Sequence, residues 1–310
     1  MKKRINMVEL GRVRRARSSG AAWFVVHCLL FAFIATLTKH LQLSIPIFEI
    51  IFFQALFGTL LMAPFFIRAC THESFEKRKL FFHALRAFCW VIATAIFFHF
   101  MQEMSMPKAI ALSFTCPLFT TIAAVIFFGE TLRAPRIIAL VCGFIGMLII
   151  VQPGMDGYKP ATIWILGACL LWSVTDVLIK MMGRTENHVS STWFFMCLSM
   201  LCTIPLMLPD MVAISALNVL WLIVLGALFA GNMFTIMLSY SKADLTIMMP
   251  FAFTQLIFIS LLAYAFYDEV IQMNTIIGSI MIVISTSYMA YRERKIHKEL
   301  LAYQIGKELI

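Results

Sequence analysis

Charge is what this sequence has least of. Acidic and basic side chains together make up 13% of 310 residues, about half the share of an ordinary soluble domain and too little to cover a water-facing surface of this size. The sequence has no GxxxxGK[ST] loop, so the chain has no evident means of using ATP itself. It has no GxSxG, no HExxH and no His/Cys/Asp grouping at metal-ligand spacing. An intramembrane enzyme needs such a nucleophile, metal cluster or placed carboxylate pair, so an enzyme is not expected and no cofactor or metal is implied. The eight cysteines (Cys28, Cys70, Cys89, Cys116, Cys142, Cys169, Cys197 and Cys202) lack CxxC spacing. They read as small apolar packing residues. The alternating ten-residue pattern of a membrane barrel is missing as well.

What is present is hydrocarbon. Hydrophobic residues reach 61% and the mean hydropathy is +0.89, in apolar runs that recur along nearly the whole chain. A helix needs about 20 such residues to cross a bilayer core, and its backbone must be satisfied within the segment. The expectation is an all-α polytopic membrane protein with ten transmembrane helices. Five fall in the first half, at Ala21 to Lys39, Pro46 to Ile67, Leu80 to Met101, Lys108 to Phe128 and Pro135 to Val151. Five follow at Ala161 to Met182, Ser191 to Leu208, Leu217 to Ser239, Ile247 to Phe266 and Met273 to Tyr291. The first run is long for a signal peptide and lacks a convincing cleavage site, so it is read as a retained helix.

The few charges are unevenly placed. With loops assigned alternately, one side collects the basic arm (Lys2, Lys3, Arg4, Arg12, Arg14, Arg15, Arg17), Arg68, Lys77, Arg78, Lys79, Arg133, Arg136, Lys180, Arg184, Lys242 and the tail from Arg292 to Lys307. The other has Lys108, Lys159 and the membrane-end Lys39. The positive-inside rule then puts both termini in the cytoplasm, which requires an even number of spans. The net charge of +9 is therefore topological, and the basic arm faces anionic lipid rather than nucleic acid.

Laid against itself, the chain shows a repeat. A displacement of 141 residues places Trp23 on Trp164, Lys39 on Lys180 and Pro64 on Pro205, and one of 139 places Phe127 to Glu130 on Phe266 to Glu269. Five helices per half is an odd number, so the second half enters from the opposite side. The expected organisation is a basic N-terminal arm (1–20), a first repeat (21–155), an inverted second repeat (156–293) and a cytoplasmic tail (294–310). Many secondary transporters use this plan, with a substrate site at the midplane between the halves.

Several stretches resemble the drug/metabolite transporter superfamily and, within it, the EamA family. They are the Pro-Leu-Phe-Thr stretch from Pro117 running to Gly129 and Glu130, and Pro250 through Gln255 to Asp268 and Glu269. Leu85-Arg86-Ala87 opens the third helix, and Lys39 and Lys180 close helices one and six. Ser113 to Glu130, Phe48 to Gln54 and Asp176 to Lys180 are most similar to the S-adenosylmethionine transporters of intracellular bacteria. The resemblance implies a secondary transporter that moves a small organic metabolite across the inner membrane by alternating access, with S-adenosylmethionine uptake or exchange the first substrate to consider. Export of amino acids or related metabolites is the alternative, and an intramembrane enzyme or a non-transporting scaffold the alternative of another class. Similar members often carry Arg where this chain has Gln54 and an acidic residue where it has Gln255, two changes that alter the charge of the presumed cavity.

Ionisable residues inside a membrane tend to face a cavity or a partner. Asp176 and Lys180 share a helix face at i, i+4 spacing, which permits an ion pair. Lys180 also reads as a cation snorkelling to the surface. Arg86 is read either as reaching headgroups or as a planar fork for a carboxylate or phosphate. Glu49 and Asp176 are candidates for coupling or gating, with Lys39 and Lys180 beside them. The substrate-binding candidates are Gln54, Arg86, Trp90, Asp176, Asn232 and Gln255. Tyr240, Tyr264, His27 and His99 read as helix-to-helix hydrogen bonds. Trp90 and Trp172 lie within spans, where they read either as core packing or as rings that stack on a ligand ring or contact a cation, and Trp23, Trp164 and Trp193 read as interfacial anchors. The expected partners are a small-molecule substrate and the lipid bilayer, with no nucleic acid; the choice between monomer and homodimer stays open.

Overall fold

The computed structural model describes residues 7–69, 77–101, 112–151, 161–183 and 186–267, with shorter pieces between 273 and 295. Lys2, Lys3, Arg4, Cys70, Glu103, Lys108, Lys159, Arg184, Asp268, Glu269 and the tail beyond Lys295 lie outside the described residues.

Every described element is a helix. They are α1 (Met7–Leu41), α2 (Ile47–Ala69), α3 (Lys77–Met101), α4 (Cys116–Phe128), α5 (Ala134–Val151), α6 (Ala161–Met182), α7 (His188–Met207), α8 (Ala216–Lys242), α9 (Leu245–Ala252) and α10 (Thr254–Tyr267). A single 3-10 turn, Leu208–Asp210, follows α7. Ile276–Ser285 adds a further short apolar helix. Among the described residues, seven segments are long and apolar enough to cross a bilayer. The outer surface is hydrocarbon: Phe65, Phe88, Phe127, Leu170 and Ile284 are all more than half exposed, the inverse of a soluble fold and the arrangement lipid requires. The described cysteines Cys28, Cys89, Cys116, Cys142, Cys169, Cys197 and Cys202 are free.

Three boundaries differ from the sequence reading. The first helix extends back to Met7, because the basic stretch contains no proline to end a helix, while its membrane-spanning part, Ser19–Leu41, lies within two residues of the segment read at either end. The fourth segment is not continuous: a turn at Phe114 and Thr115 precedes α4. The ninth is likewise broken at Phe253, between α9 and α10. Both breaks are built alike. Thr115 Oγ1 donates to the carbonyl of Leu112 and Thr254 Oγ1 to that of Phe251, each at 2.7 Å, so a side chain takes an acceptor at the interruption. Phe114 and Phe253, 139 positions apart, stack on each other with ring centroids 5.6 Å apart.

The helices pair in a regular way. α1 lies along α8, α3 along α6, and α2 along α7; α2 also meets α8 and α3 meets α7. α4 packs on α6 and α9, while α9 and α10 pack on α1. This pattern is unchanged when α1, α2, α3 and α4 are exchanged for α6, α7, α8 and the α9–α10 pair.

α2 and α8 approach each other closely. A Cβ added at Gly226 would lie 2.5 Å from Phe57 Cβ and 2.9 Å from the Gly58 nitrogen, so the crossing depends on glycine, as close membrane-helix contacts commonly do. Gly226→Val is expected to cost about 1–3 kcal/mol of stability through overpacking, read as a lower unfolding temperature in detergent. Gly167→Ala, where a new Cβ has nothing within 4 Å, is the control and is expected to be neutral or slightly stabilising.

Candidate substrate cavity

At the centre of the bundle, α1, α3, α6, α8 and the two broken segments enclose a cavity of about 160 Å³. Five of the six binding candidates line it: Arg86, Trp90, Asp176, Asn232 and Gln255. The sixth, Gln54, is buried on α2 and lines a side lobe of about 50 Å³ that shares Trp90 and Asn232 with the main cavity. Phe114 and Cys116 from one broken segment, and Met249, Ala252 and Gln255 from the other, form part of the wall. The interruptions are therefore where backbone at membrane depth meets a cavity.

Arg86 is fully buried, so the headgroup reading does not hold. Its guanidinium carbon lies 3.9 Å from the centroid of the Phe195 ring on α7, a cation–π contact that orients the plane. Nη2 lies 3.9 Å from Met233 Sδ on α8, while Nε and Nη1 have no hydrogen-bond acceptor. Of the two readings of Arg86 only the headgroup one is overturned, because α7 and α8 cover the side chain.

Asp176 is held by donors from two other helices. Thr120 Oγ1 of α4 donates to one carboxylate oxygen at 2.8 Å and the Tyr240 hydroxyl of α8 to the other at 3.1 Å. Arg86 and Asp176 are within electrostatic reach of each other. Lys180, one turn on, is 1% exposed and does not snorkel. It turns to the α8–α9 junction, where Nζ donates to the carbonyl of Ala243.

Asn232 has a fixed orientation. Its Nδ2 donates to the carbonyl of His27 at 2.9 Å, an acceptor that only the amide nitrogen can satisfy. Its Oδ1 is thereby left buried without a donor. His27 Nδ1 lies 3.2 Å from the Asn232 carbonyl, and the pair ties α1 to α8. Trp90 and Trp172 both line the cavity, tilted against Phe229 and Phe97 at centroid distances of 4.9 and 5.1 Å. Trp193 packs between helices, stacked on Phe66 at 4.0 Å with Nε1 donating to the Thr59 carbonyl.

The coupling candidates other than Asp176 lie away from the cavity. Glu49 is buried and accepts from the Val212 nitrogen at 3.3 Å, while Lys39 is half-buried near the end of α1. Tyr240 and His27 make helix-to-helix hydrogen bonds, as their residue types had suggested, to Asp176 and Asn232, whereas Thr120 was missed. The available signal was that a carboxylate inside a membrane needs donors.

Beyond Tyr240 the ends of α4, α5 and α9 are tied to one another. Glu130, after α4, accepts the Leu245 and Thr246 nitrogens on its two oxygens at 3.1 and 2.9 Å, an anion on the N-terminus of α9. Arg136 Nη1 donates to the Thr131 carbonyl at 3.0 Å and to Thr246 Oγ1 at 2.7 Å, and Nη2 lies 3.9 Å from Asp244.

The EamA-like transporter family model matches the chain twice, over residues 18–152 and 159–291. The chain belongs to the EamA-like transporter family. Among its relatives, the S-adenosylmethionine uptake transporter of Rickettsia conorii is 23% identical over 277 residues, covering 89% of this chain and 94% of that protein. The riboflavin transporter of Vibrio cholerae is 24% identical over 284 residues, with the same two coverages. Mouse solute carrier family 35 member G1 is 25% identical over 294 residues, 86% of this chain and 77% of that protein. A solved crystal structure superposes with a TM-score of 0.73 at 17% identity, covering 88% of this chain and 98% of that one, which shows the shared fold. EamA relatives with these names are transporters, and the chain is a multi-pass membrane transporter rather than an enzyme.

The Asp176 bonds give a measurable coupling. Thr120→Val and Tyr240→Phe are each expected to cost about 1.5–3 kcal/mol, as hydrogen bonds to a charged group do. Most of that cost is expected to vanish in an Asp176→Ala background, read as non-additive unfolding temperatures in a double-mutant cycle.

Proposed function

We propose that the chain is a secondary transporter that carries a small organic metabolite across the inner membrane by alternating access. Its ten crossings form two five-helix repeats of opposite orientation, 21–155 and 156–293, with the arm (1–20) and the tail (294–310) cytoplasmic. The observation that carries this reading is a largely apolar cavity, walled by helices of both halves, whose lining includes the charged or polar side chains of Arg86, Asp176, Asn232 and Gln255. Support for the repeat comes from the double family match, the exchange-invariant helix pairing and the two alike breaks around Phe114 and Phe253. A body with two related halves around a central site can open to either side by exchanging their conformations. The end tied by Glu130, Arg136 and Lys180 is then one of the two gates.

The relatives' names offer two substrates, S-adenosylmethionine and riboflavin. Both contain a fused nitrogen heterocycle, and Trp90 and Trp172 supply ring faces in the cavity wall. S-adenosylmethionine uptake or exchange is the first reading. Export of amino acids or related metabolites is the second, favoured by a cavity of about 160 Å³, below the roughly 300–1,000 Å³ of drug-sized ligand sites. Gradients drive the movement, either through a proton on Asp176 or Glu49 or through exchange of one solute for another.

Purified protein in liposomes, offered labelled S-adenosylmethionine and amino acids with and without a pH gradient, is expected to accumulate at least one of them. Asp176→Asn keeps the shape and is expected to lower the rate about tenfold or more, equivalent to about 1.4 kcal/mol. Parental transport by a normally inserted variant makes Asp176 structural. Topology is checked separately. A reporter fused after Lys298 is expected to report the cytoplasm, and an outside signal removes the even-span, inverted arrangement.

A further inference from the structure

The polar groups of the cavity are unevenly satisfied, and the imbalance has a sign at each point. Arg86 is fully buried and its Nε and Nη1 lack acceptors; the sulfur beside Nη2 is a weak one. Removing a guanidinium from water without giving it acceptors is costly. Asn232 is also fully buried and presents the opposite need: its Oδ1 lacks a donor, and the Nδ2 bond to His27 prevents the amide from turning round. Each oxygen of Asp176 accepts one hydrogen bond and retains capacity for another. All three line the same cavity. Met233, the residue after Asn232, is the one beside Arg86, so the donor-rich and acceptor-rich sites are neighbours.

A simple anion satisfies Arg86 but brings like charge towards Asp176. A simple cation has the reverse problem, and a neutral solute keeps the charge balance of the Arg86 and Asp176 pair but meets each only with an uncharged partner, whose hydrogen bonds are weaker than those between two ions. We infer that the cavity selects zwitterions with an amino-acid headgroup, the carboxylate on Arg86 and the ammonium on Asn232 Oδ1 and Asp176. The inference rests on the transporter reading for its biological meaning and narrows the substrate class. It also accounts for a neutral Gln255 in the wall, since a zwitterion brings no net charge for a further ion to balance.

The test uses the purified full-length chain in detergent, read by tryptophan fluorescence, to which Trp90 and Trp172 in the wall contribute, and by thermal stabilisation. The probes are S-adenosylmethionine, L-methionine and other neutral L-amino acids. Two one-ended counterparts of methionine are 3-(methylthio)propylamine, which lacks the carboxylate, and 4-(methylthio)butanoate, which lacks the ammonium. At least one zwitterion is expected to bind saturably. For that zwitterion, the counterparts lacking either group are expected to bind about tenfold more weakly or worse. Arg86→Gln is expected to erase the preference for the carboxylate and keep that for the ammonium, and Asn232→Leu to do the reverse. The comparison of ligands on the unaltered chain stands even where a variant fails to fold. Equal binding of a one-ended counterpart, or saturable binding by none of the zwitterions, overturns the inference. Zwitterions that bind but are not carried in liposomes defeat the transporter reading alone, and carriage of a one-ended counterpart as fast as its zwitterion defeats the zwitterion inference alone.

Discussion

A bundle with hydrocarbon outside must settle its charges inside, and that constraint governs where these helices meet. Arg86, Asp176 and Lys180 are each held by an element other than their own. Arg86 of α3 lies against Phe195 of α7 and Met233 of α8. Asp176 of α6 receives hydroxyls from α4 and α8, and Lys180 reaches the α8–α9 junction. In water such contacts contribute little to stability. Inside the bundle the alternative is an uncompensated charge or an unmade hydrogen bond, so these contacts fix helix register as well as energy.

The same constraint explains why the cavity lies where the helices break. A continuous helix presents only side chains to its neighbours, because its backbone is fully used. At Phe114–Thr115 and at Phe253 the main chain turns, a threonine hydroxyl takes a carbonyl of the preceding turn, and residues on both sides of each break reach the cavity wall. The stacked rings of Phe114 and Phe253 then pack one interruption on the other. The polar interior and the irregular backbone are two aspects of one device.

Hydropathy made most of the fold legible. The segment read as Ala161 to Met182 is α6 with the same ends, and the second, third, fifth, seventh and eighth segments shift by three residues or fewer at either end. The breaks in the fourth and ninth segments were not legible, since Phe114 and Phe253 are apolar like their neighbours and the interruption is made by a hydroxyl and a ring stack. In the cavity, Gln54, Asp176, Asn232 and Gln255 stood out because polar side chains are rare in apolar helices. Thr120 did not, because threonine recurs throughout the chain and its role comes from facing Asp176 across a helix boundary; Tyr240 and His27 were legible as helix-to-helix hydrogen bonds, but without their partners. The snorkelling reading of Lys180 and the headgroup reading of Arg86 fail for a related reason: position along one helix carries no information about what covers it.

The tie at Glu130 has an evolutionary consequence. Its carboxylate grips the peptide nitrogens of Leu245 and Thr246 rather than any side chain. At Leu245, any residue that retains an amide hydrogen keeps the grip, whereas position 130 has no such freedom, because shortening its side chain releases both nitrogens and turning the acid into an amide leaves only one accepting oxygen for the two. Drift between lineages should therefore be lopsided across this contact, loose on the gripped strand of main chain and strict on the single acid that holds it.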